Sequence, residues 1–373
     1  MAYLAKKIED ARVVWFEASN QWAILDEPKW FVFQQFENGK SRKNAYKELC
    51  RHFSFSGSEA EAIEIVKNVY ESVEKLKTPD FKLPDFRINT KEASHYKLNK
   101  KKTGNYRFCN KPFSIVYGSP HLERYIHLPL AHLEEDHCGD NIFTAEVFPF
   151  KNKYVLRTNK NGGDCLSADE AGQIKRLLYV ELANYFYDKK EDDWMAFVHA
   201  SALEKNGEVF LLTSPGGGGK STLSGLLQLN GFGFFSDDFV PILANNTKAY
   251  PFPAALCVKN DSISMLSEKG MEIFPKGSNK IAYAKLPQQQ TKSRPCEVKR
   301  IIFVKYNPDA DLDFHPISTL EALALFHPEA WVGNDMKRAE QFINWFENLY
   351  FYKLEYGNNV KAIEMITNLA EQA

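Results

Sequence analysis

The chain has 373 residues, of which 44% are hydrophobic, and this length is sufficient for two domains with cores of ordinary size. Its formal net charge is −1, from 47 Lys and Arg against 48 Asp and Glu, which excludes a general electrostatic attraction to nucleic acids or acidic membranes. We therefore expect neither partner, and a local site must hold any anionic ligand. The six cysteines form no C-x-x-C pair, so reduced thiols and a cytoplasmic location are predicted.

The first 77 residues predict a small domain that begins with a strand pair and continues with three helices. Apolar residues alternate on both sides of a polar turn at Ser19-Asn20. The helical patterns that follow begin at Pro28, at Ser41 and near residue 58. Residues 78–104 then combine prolines, dense charge and no periodicity, which predicts a linker.

Residues 105–373 predict a second, α/β domain with a mixed sheet. Short strand-like runs alternate with turns, and Ser167 with Glu170 resembles the capping box of a long helix. The runs WMAFVHASAL and GEVFLLT then predict two buried strands, the first of which contains His199. Further downstream, VKRIIFVKY predicts a strand, and the C-terminal segment predicts helix, strand and helix.

The stretch LLTSPGGGGKSTLSGLL, residues 211–227, predicts a phosphate-binding loop. Residues 214–221 read S-P-G-G-G-G-K-S and depart from the pattern G-x-x-x-x-G-K-S/T at Ser214, which stands where the first glycine is expected. A buried strand precedes the loop and an apolar-striped helix starts at Ser221, so the positive end of that helix is predicted to face an anion. A solvated linker would have no such flanks.

Asp237 and Asp238 follow Lys220 by 17 and 18 residues, which is the length of one short helix, a turn and a strand. The acids are therefore expected to return beside the phosphate loop. Adjacent residues on a strand point in opposite directions. One carboxylate should then face the magnesium nucleotide, while the other holds the strand end or, across a bend, contacts the acceptor hydroxyl.

Together, VHASAL, GEVFLLTSPGGGGKSTLSGLL and GFGFFSDDFVPI resemble the HPr kinase/phosphorylase family and related serine kinases found with peptide-modifying gene sets. The resemblance covers residues 195–245 well and extends more loosely to the C-terminus. It implies a fold related to phosphoenolpyruvate carboxykinases. Residues 1–77 resemble PqqD-type domains, small winged-helix units that hold a peptide against a strand, which implies that this domain recruits the substrate.

The resemblance also implies a set of site residues. Lys220 would stabilise the transferred charge, Asp237 would be the general base, Asp238 would help to hold Mg²⁺, and His199 would lie near the γ-phosphate; the roles of the two aspartates could be exchanged. Ser221 would be a second Mg²⁺ ligand. The residues expected to bind the nucleotide are Gly216, Gly217, Gly218, Gly219, Lys220, Ser221 and Thr222.

The predicted function is an ATP- and Mg²⁺-dependent kinase that phosphorylates a hydroxyl, most readily a serine of a peptide or small protein. HPr itself is not the expected acceptor, because AYPFPAALCVKND stands where HPr kinases have their substrate segment. A small-metabolite kinase, a phosphorylase that uses phosphate or pyrophosphate, and a non-catalytic ATP sensor stay open as alternatives. A homo-oligomer is compatible with the resemblance.

Two further features of the sequence bear on ligand binding. A cluster of His121, His127, His132, His137 and Cys138 suggests zinc, but the intervals between these residues do not match common ligand spacings. Separately, Lys259 could face the nucleotide or the acceptor, although a surface position is the simpler expectation.

Overall fold

The computed structural model has a mixed α/β fold with several mixed and antiparallel sheets. None of the helices it describes is both long and apolar enough to cross a bilayer. The chain divides into two compact units: unit 1 is Met1–Pro84 with Ile317–Asn348, and unit 2 is Asp85–Pro316 with Leu349–Ala373. The structure describes residues 2–53, 59–79, 87–88, 91–98, 101–137, 139, 142–160, 165–214, 217–276, 280–285 and 294–372.

The N-terminal part of unit 1 contains the strands and helices expected from its sequence, with one additional strand at the start. The turn at Asn20 connects two strands as predicted, and Ser41 caps a helix by accepting a hydrogen bond from the backbone of Asn44. The elements are β1 (Tyr3–Ile8), β2 (Ala11–Phe16), β3 (Gln21–Leu25), α1 (Glu27–Glu37), α2 (Arg42–His52) and α3 (Glu59–Lys77).

Unit 2 begins with an antiparallel-rich region that leads into the phosphate-loop region. The elements up to residue 229 are β4 (Arg87–Ile88), α4 (Lys91–Ser94), β5 (Lys102–Phe108), β6 (Lys111–Tyr117), α5 (Pro120–Leu130), β7 (Phe143–Phe150), β8 (Lys153–Thr158), β9 (Cys165–Ala168), α6 (Ala171–Tyr187), β10 (Trp194–Val198), β11 (Ser201–Lys205), β12 (Glu208–Thr213) and α7 (Lys220–Leu229).

The remaining elements of the chain alternate between the two units. Unit 2 continues with β13 (Gly233–Ser236), β14 (Val240–Leu243), β15 (Lys248–Ala249), β16 (Leu256–Lys259), α8 (Asp261–Glu268), β17 (Glu272–Phe274), β18 (Ile281–Lys285), β19 (Cys296–Tyr306) and β20 (Asp313–Pro316). Unit 1 then contributes α9 (Thr319–Phe326), β21 (Ala330–Val332) and α10 (Met336–Phe346), and unit 2 ends with β22 (Tyr350–Tyr356) and α11 (Asn359–Glu371).

In unit 1 the sheet β1-β2-β3 is covered on both faces. Val14 and Phe16 of β2 pack into a core with the helices α1, α2 and α3. Trp15 lies beside Trp22 of β3, whose ring is 5.6 Å from that of Phe342 on α10. The sheet is therefore buried between helices that come from opposite ends of the sequence.

Three parallel strands organise the centre of unit 2. β12 pairs with β19, β19 pairs in turn with β22, and both pairs are parallel. On the other side of β12 the order continues through β11 to β13, while β15, β14 and β10 extend the sheet beyond the start of β19. The three parallel strands end at Thr213, Tyr306 and Tyr356, so their carboxyl ends meet at one edge of the sheet.

Helices α7 and α11 cover this sheet, and α8 lies against α7. A Cβ added to Gly225 of α7 would lie 2.9 Å from Leu266 of α8, so a glycine is needed for the two helices to approach. The core that fixes α7 and α11 includes Phe210, Leu212, Leu223, Leu227, Ile302, Val304, Leu354, Ala362 and Ile366. Because these side chains are buried, the start of α7 is held rigidly beside the carboxyl ends of the strands.

Several predictions about segments differ from the structure. Ser167 lies in strand β9, and α6 begins only at Ala171 without a side-chain cap, so the predicted capping box is wrong. The segment Ile317–Asn348, which the sequence places in the second domain, belongs to unit 1 together with the N-terminal residues. Within the predicted linker, Ala93 is fully buried in a core cluster of unit 2. The capping motif is a local signal, and pairing of β9 with β8 overrides it.

Candidate active site

The glycine-rich segment connects a buried strand to a helix, as the sequence predicts. β12 ends at Thr213 and α7 begins at Lys220. Gly217 and Gly219 have φ angles of +88° and +87°, which residues with a side chain rarely adopt. Of the predicted loop residues, Pro215 and Gly216 lie outside the described residues.

Close approach also restricts the loop to glycine. A Cβ on Gly218 would lie 2.8 Å from the Cβ of Ser214, and a Cβ on Gly219 would lie 2.7 Å from the Cβ of Tyr306. Ser214 itself is buried and its φ angle is not positive, so the backbone at this position does not need a glycine. The departure from the pattern at Ser214 is therefore compatible with the loop geometry.

We predict that Ser214→Gly preserves ATP binding within about threefold, because the substitution removes only a side chain that lies against Gly218. Gly219→Ala should weaken ATP binding by about tenfold or more, since a left-handed backbone costs L-residues about 1–2 kcal/mol and the new Cβ meets Tyr306. Isothermal titration with ATP measures the affinity of both variants. A marked loss of ATP affinity in Ser214→Gly would contradict our alignment of the loop.

Three side chains converge at one end of the loop. The Nε2 atom of His199 lies 3.1 Å from Oδ1 of Asp238, and Nζ of Lys220 lies 3.3 Å from the same oxygen. Nζ of Lys220 is also 3.4 Å from Nε2 of His199. The sequence predicted all three residues for the site, and the structure brings them together at the start of α7.

His199 does not lie on a strand, as the sequence analysis expected. The run WMAFVHASAL forms two strands, β10 and β11, and His199 occupies the break between Val198 and Ser201. β10 pairs with β14, whereas β11 pairs with β12 and β13. Because the chain changes its position in the sheet at this break, the imidazole is exposed at the sheet edge rather than packed in the core.

Asp237 and Asp238 point to different places. Asp237 is 1% exposed; its Oδ1 accepts a hydrogen bond from the Ser201 hydroxyl, and its Oδ2 accepts one from the backbone N–H of Cys257 at 3.0 Å. Asp238 has a φ of +60°, in the left-handed region that aspartate tolerates. This bend at the end of β13 turns the second carboxylate toward Lys220 and leaves the first one inside the protein.

Their environments separate the pKa values of the two carboxyl groups. Burial, followed by the nearby charge of Asp238, raises the pKa of Asp237 from 3.8 to about 6. Desolvation also acts to raise the pKa of Asp238, but the hydrogen bond to His199 and the charge of Lys220 outweigh it and hold this pKa well below its usual range. Asp238 is therefore ionised at neutral pH.

A cavity of about 400 Å³ opens in front of the loop. At one end it is lined by His199, Lys220 and Asp238, whereas Asp237 does not line it. Ser221 and Thr222 of α7, for which nucleotide binding is predicted, also line it. The other lining residues include Cys257, Lys259, Asn260, Asp261, Ser262, Met265, Tyr306, Tyr356 and Asn359.

The donors in this cavity fit a magnesium nucleotide. Mg²⁺ is usually held by one or two carboxylates together with substrate phosphates and water. The Ser221 hydroxyl and the carboxylates of Asp238 and Asp261 line the cavity and could supply such ligands. Within the described part of the chain, no group of three or more His, Cys, Asp or Glu side chains is arranged to hold a metal by itself. The backbone N–H groups at the start of α7 suit a phosphate.

Three cavity residues were not predicted from the sequence: Tyr306, Tyr356 and Asn359. A signal was present, because the strands VKRIIFVKY and YFYKLEY end with Tyr306 and Tyr356, and ligands bind at the carboxyl ends of parallel strands. Lys259, for which a surface position was expected, lines the cavity. In the histidine-rich stretch, Nδ1 of His127 lies 2.8 Å from the hydroxyl oxygen of Tyr106, and Cys138 lies outside the described residues.

Neither a protein-family model nor a curated protein sequence matches this chain. The similarity to HPr-kinase-like proteins therefore depends on the motifs around Lys220 and Asp238 and stays a prediction.

Proposed function

We propose that this protein is a kinase that transfers the γ-phosphoryl group of ATP, bound with Mg²⁺, to a hydroxyl group, with a serine of a peptide or small protein as the acceptor. The observation that carries the proposal is the convergence of His199, Lys220 and Asp238 on one end of the cavity, beside the glycine loop. Phosphoryl transfer mainly requires positioned positive charge and one group that accepts the proton of the nucleophile.

Two structural features support the finer fold that the motifs imply. The strand, glycine loop and helix around Lys220 support a P-loop, and the short sequence distance from Lys220 to Asp238 favours the HPr-kinase-like type. The three-stranded sheet and helices α1, α2 and α3 of unit 1 suit a winged-helix unit of PqqD type.

Each residue has a chemical task in this proposal. The ammonium group of Lys220 and the N–H groups of the loop bind the phosphates and stabilise the charge that moves to the leaving oxygen. Ser221 would hold Mg²⁺, which when bound neutralises phosphate charge. The acceptor oxygen bonds to the γ-phosphorus as the bond to the β,γ-bridging oxygen breaks, and ADP leaves with that electron pair.

We assign the hydroxyl proton to Asp238 rather than to Asp237. Asp238 faces the cavity and is ionised, so it can orient the hydroxyl and take its proton. His199, with Nε2 3.1 Å from Oδ1, holds the carboxylate in position. Both oxygens of Asp237 are already bonded to Ser201 and Cys257, so we assign Asp237 the task of holding the end of β13.

In this proposal the acceptor peptide is recruited by unit 1. Among the described residues, β3 pairs only with β2, so its outer edge offers backbone groups to an extended peptide. The expected substrates are precursor peptides encoded by neighbouring genes.

The test incubates the whole chain with γ-labelled ATP, Mg²⁺ and such peptides. We expect the label on a peptide serine, located by mass spectrometry. Tight ATP binding without labelling of any acceptor would favour the nucleotide sensor. Labelling of a small metabolite, or donation from pyrophosphate, would favour the other enzymatic alternatives.

A further inference from the structure

The same cavity also has a side lined by aromatic and amide side chains. His199 and Asp238 line one end, whereas Tyr306, Tyr356 and Asn359 line the side formed by β19, β22 and α11. Those two strands are parallel to β12 and end beside the loop that β12 enters. Both tyrosines reach the glycine loop, because a Cβ added to Gly219 would lie 2.7 Å from the Cβ of Tyr306 and 3.2 Å from the hydroxyl of Tyr356. A donor with its γ-phosphate beside His199 and Asp238 can therefore extend along the loop toward these tyrosines.

Among the described residues, two buried polar groups on this side lack a hydrogen-bond partner. The hydroxyl of Tyr356, a residue only 1% exposed, has none within the described part of the chain, and neither has the side-chain oxygen of Asn359. The other amide atom of Asn359, Nδ2, lies 3.8 Å from the sulfur of Met265. An unpaired buried polar group is costly and uncommon in folded proteins. Two of them in one cavity indicate places for polar atoms of a ligand.

Tyr306 adds an exposed aromatic surface next to these groups. Its side chain is 44% exposed, and its ring lies 5.4 Å from that of Tyr356 at an interplanar angle of 66°. Its position is fixed, because its backbone N–H donates to the carbonyl oxygen of Gly218 at 3.0 Å. Exposed tyrosines held by the backbone are good stacking surfaces for bases.

We propose that Tyr306, Tyr356 and Asn359 form the subsite for the donor's base, and that the donor is an adenine nucleotide rather than a base-free phosphate such as pyrophosphate. The base stacks on Tyr306. Its amino group donates to the Asn359 oxygen, and the Tyr356 hydroxyl donates to a ring nitrogen. This inference rests on the proposed function, and it assigns the residues that would hold the base of the ATP donor.

The test compares the binding of Mg·ATP and Mg·tripolyphosphate to the full-length protein by isothermal titration. Tyr306→Ala keeps the Cβ that lies against Gly219 and removes the ring. Base stacking contributes about 1–3 kcal/mol, so this variant should bind ATP about 5- to 150-fold more weakly. Its affinity for tripolyphosphate should change less than about twofold. The matched control is Tyr350→Ala, at the other end of β22, where the side chain is 60% exposed and does not line the cavity.

Tyr356→Phe gives a second readout that separates binding from structure. It should weaken ATP binding several-fold while the melting temperature of the ligand-free protein is unchanged or higher, because only an unpaired hydroxyl is lost. A tyrosine with a purely structural role would instead lower the melting temperature.

Three results would overturn the base subsite. In the first, Tyr306→Ala weakens the binding of ATP and of tripolyphosphate equally. In the second, this variant changes the binding of neither ligand. In the third, the wild-type protein binds tripolyphosphate as tightly as ATP. The proposed function fails in a different way: neither ligand binds the wild type, or Lys220→Met leaves both affinities unchanged.

Discussion

The Asp238→Asn variant should lose about 10²- to 10⁴-fold in kcat, whereas Asp237→Asn should lose less than about tenfold. Asp238 faces the cavity beside Lys220 and His199, so the substitution removes the group that orients the hydroxyl and takes its proton. In Asp237→Asn, the amide oxygen can still accept from the Cys257 N–H, and the amide nitrogen can donate to Ser201. The side chain at position 237 therefore does not need a charge to keep its two buried hydrogen bonds.

Steady-state kinetics with a labelled acceptor peptide, together with ATP binding, tests this pair of variants. Both should bind ATP, so that the difference appears in kcat. If Asp237→Asn is folded, binds ATP and is as inactive as Asp238→Asn, the roles are those that the family resemblance first implied. Asp237 would then be the base, and the cavity would have to change shape when the substrates bind.

The second large effect is a change in the free energy of unfolding as the pH rises. Because the pKa of Asp237 is raised from 3.8 to about 6, between these two pH values the folded protein holds a proton that the unfolded chain has released. Raising the pH through this window therefore destabilises the wild type, by up to about 3 kcal/mol for a shift of this size. Asp237→Asn cannot titrate and should escape this loss.

Urea unfolding at pH 4 and pH 7.5 measures the effect. We compare the free energy of unfolding of Asp237→Asn with that of the wild type at each pH. The difference should favour the variant more at pH 7.5 than at pH 4. Asp169→Asn, at a surface position of unit 2 with a side chain 77% exposed, is the matched control and should follow the wild type. Parallel stability curves of wild type and Asp237→Asn across this range would contradict the raised pKa.

The part of the site that the sequence predicts is encoded in continuous segments. Glycines, Lys220 and Ser221 lie between a strand and a helix, and Asp238 follows after one further strand, so chain connectivity alone returns it to the loop. Tyr306 and Tyr356 are far from this segment in sequence. Only the parallel pairing of β19 and β22 with β12 brings them to the same edge.

Local patterns also could not specify tertiary partners. The amphipathic helix α10 was recognisable as a helix, but its apolar face could have packed on any sheet. Ser167 and Glu170 fitted a capping motif, yet the backbone around Ser167 is paired with β8. Similarly, nothing in WMAFVHASAL indicates that the chain leaves one strand and starts another at His199.

The two-sided burial of the unit 1 sheet has a consequence for biosynthesis. The indole N–H of Trp15 donates to Asn20, and the amide of Asn20 donates to the carbonyl oxygen of Val332, more than 300 residues later. Domains generally fold as units during synthesis, and contacts between distant residues form late. The ribosome must therefore deliver residues up to about 348 before Trp15 and Trp22 are covered, and a fragment of the first 77 residues would expose this face.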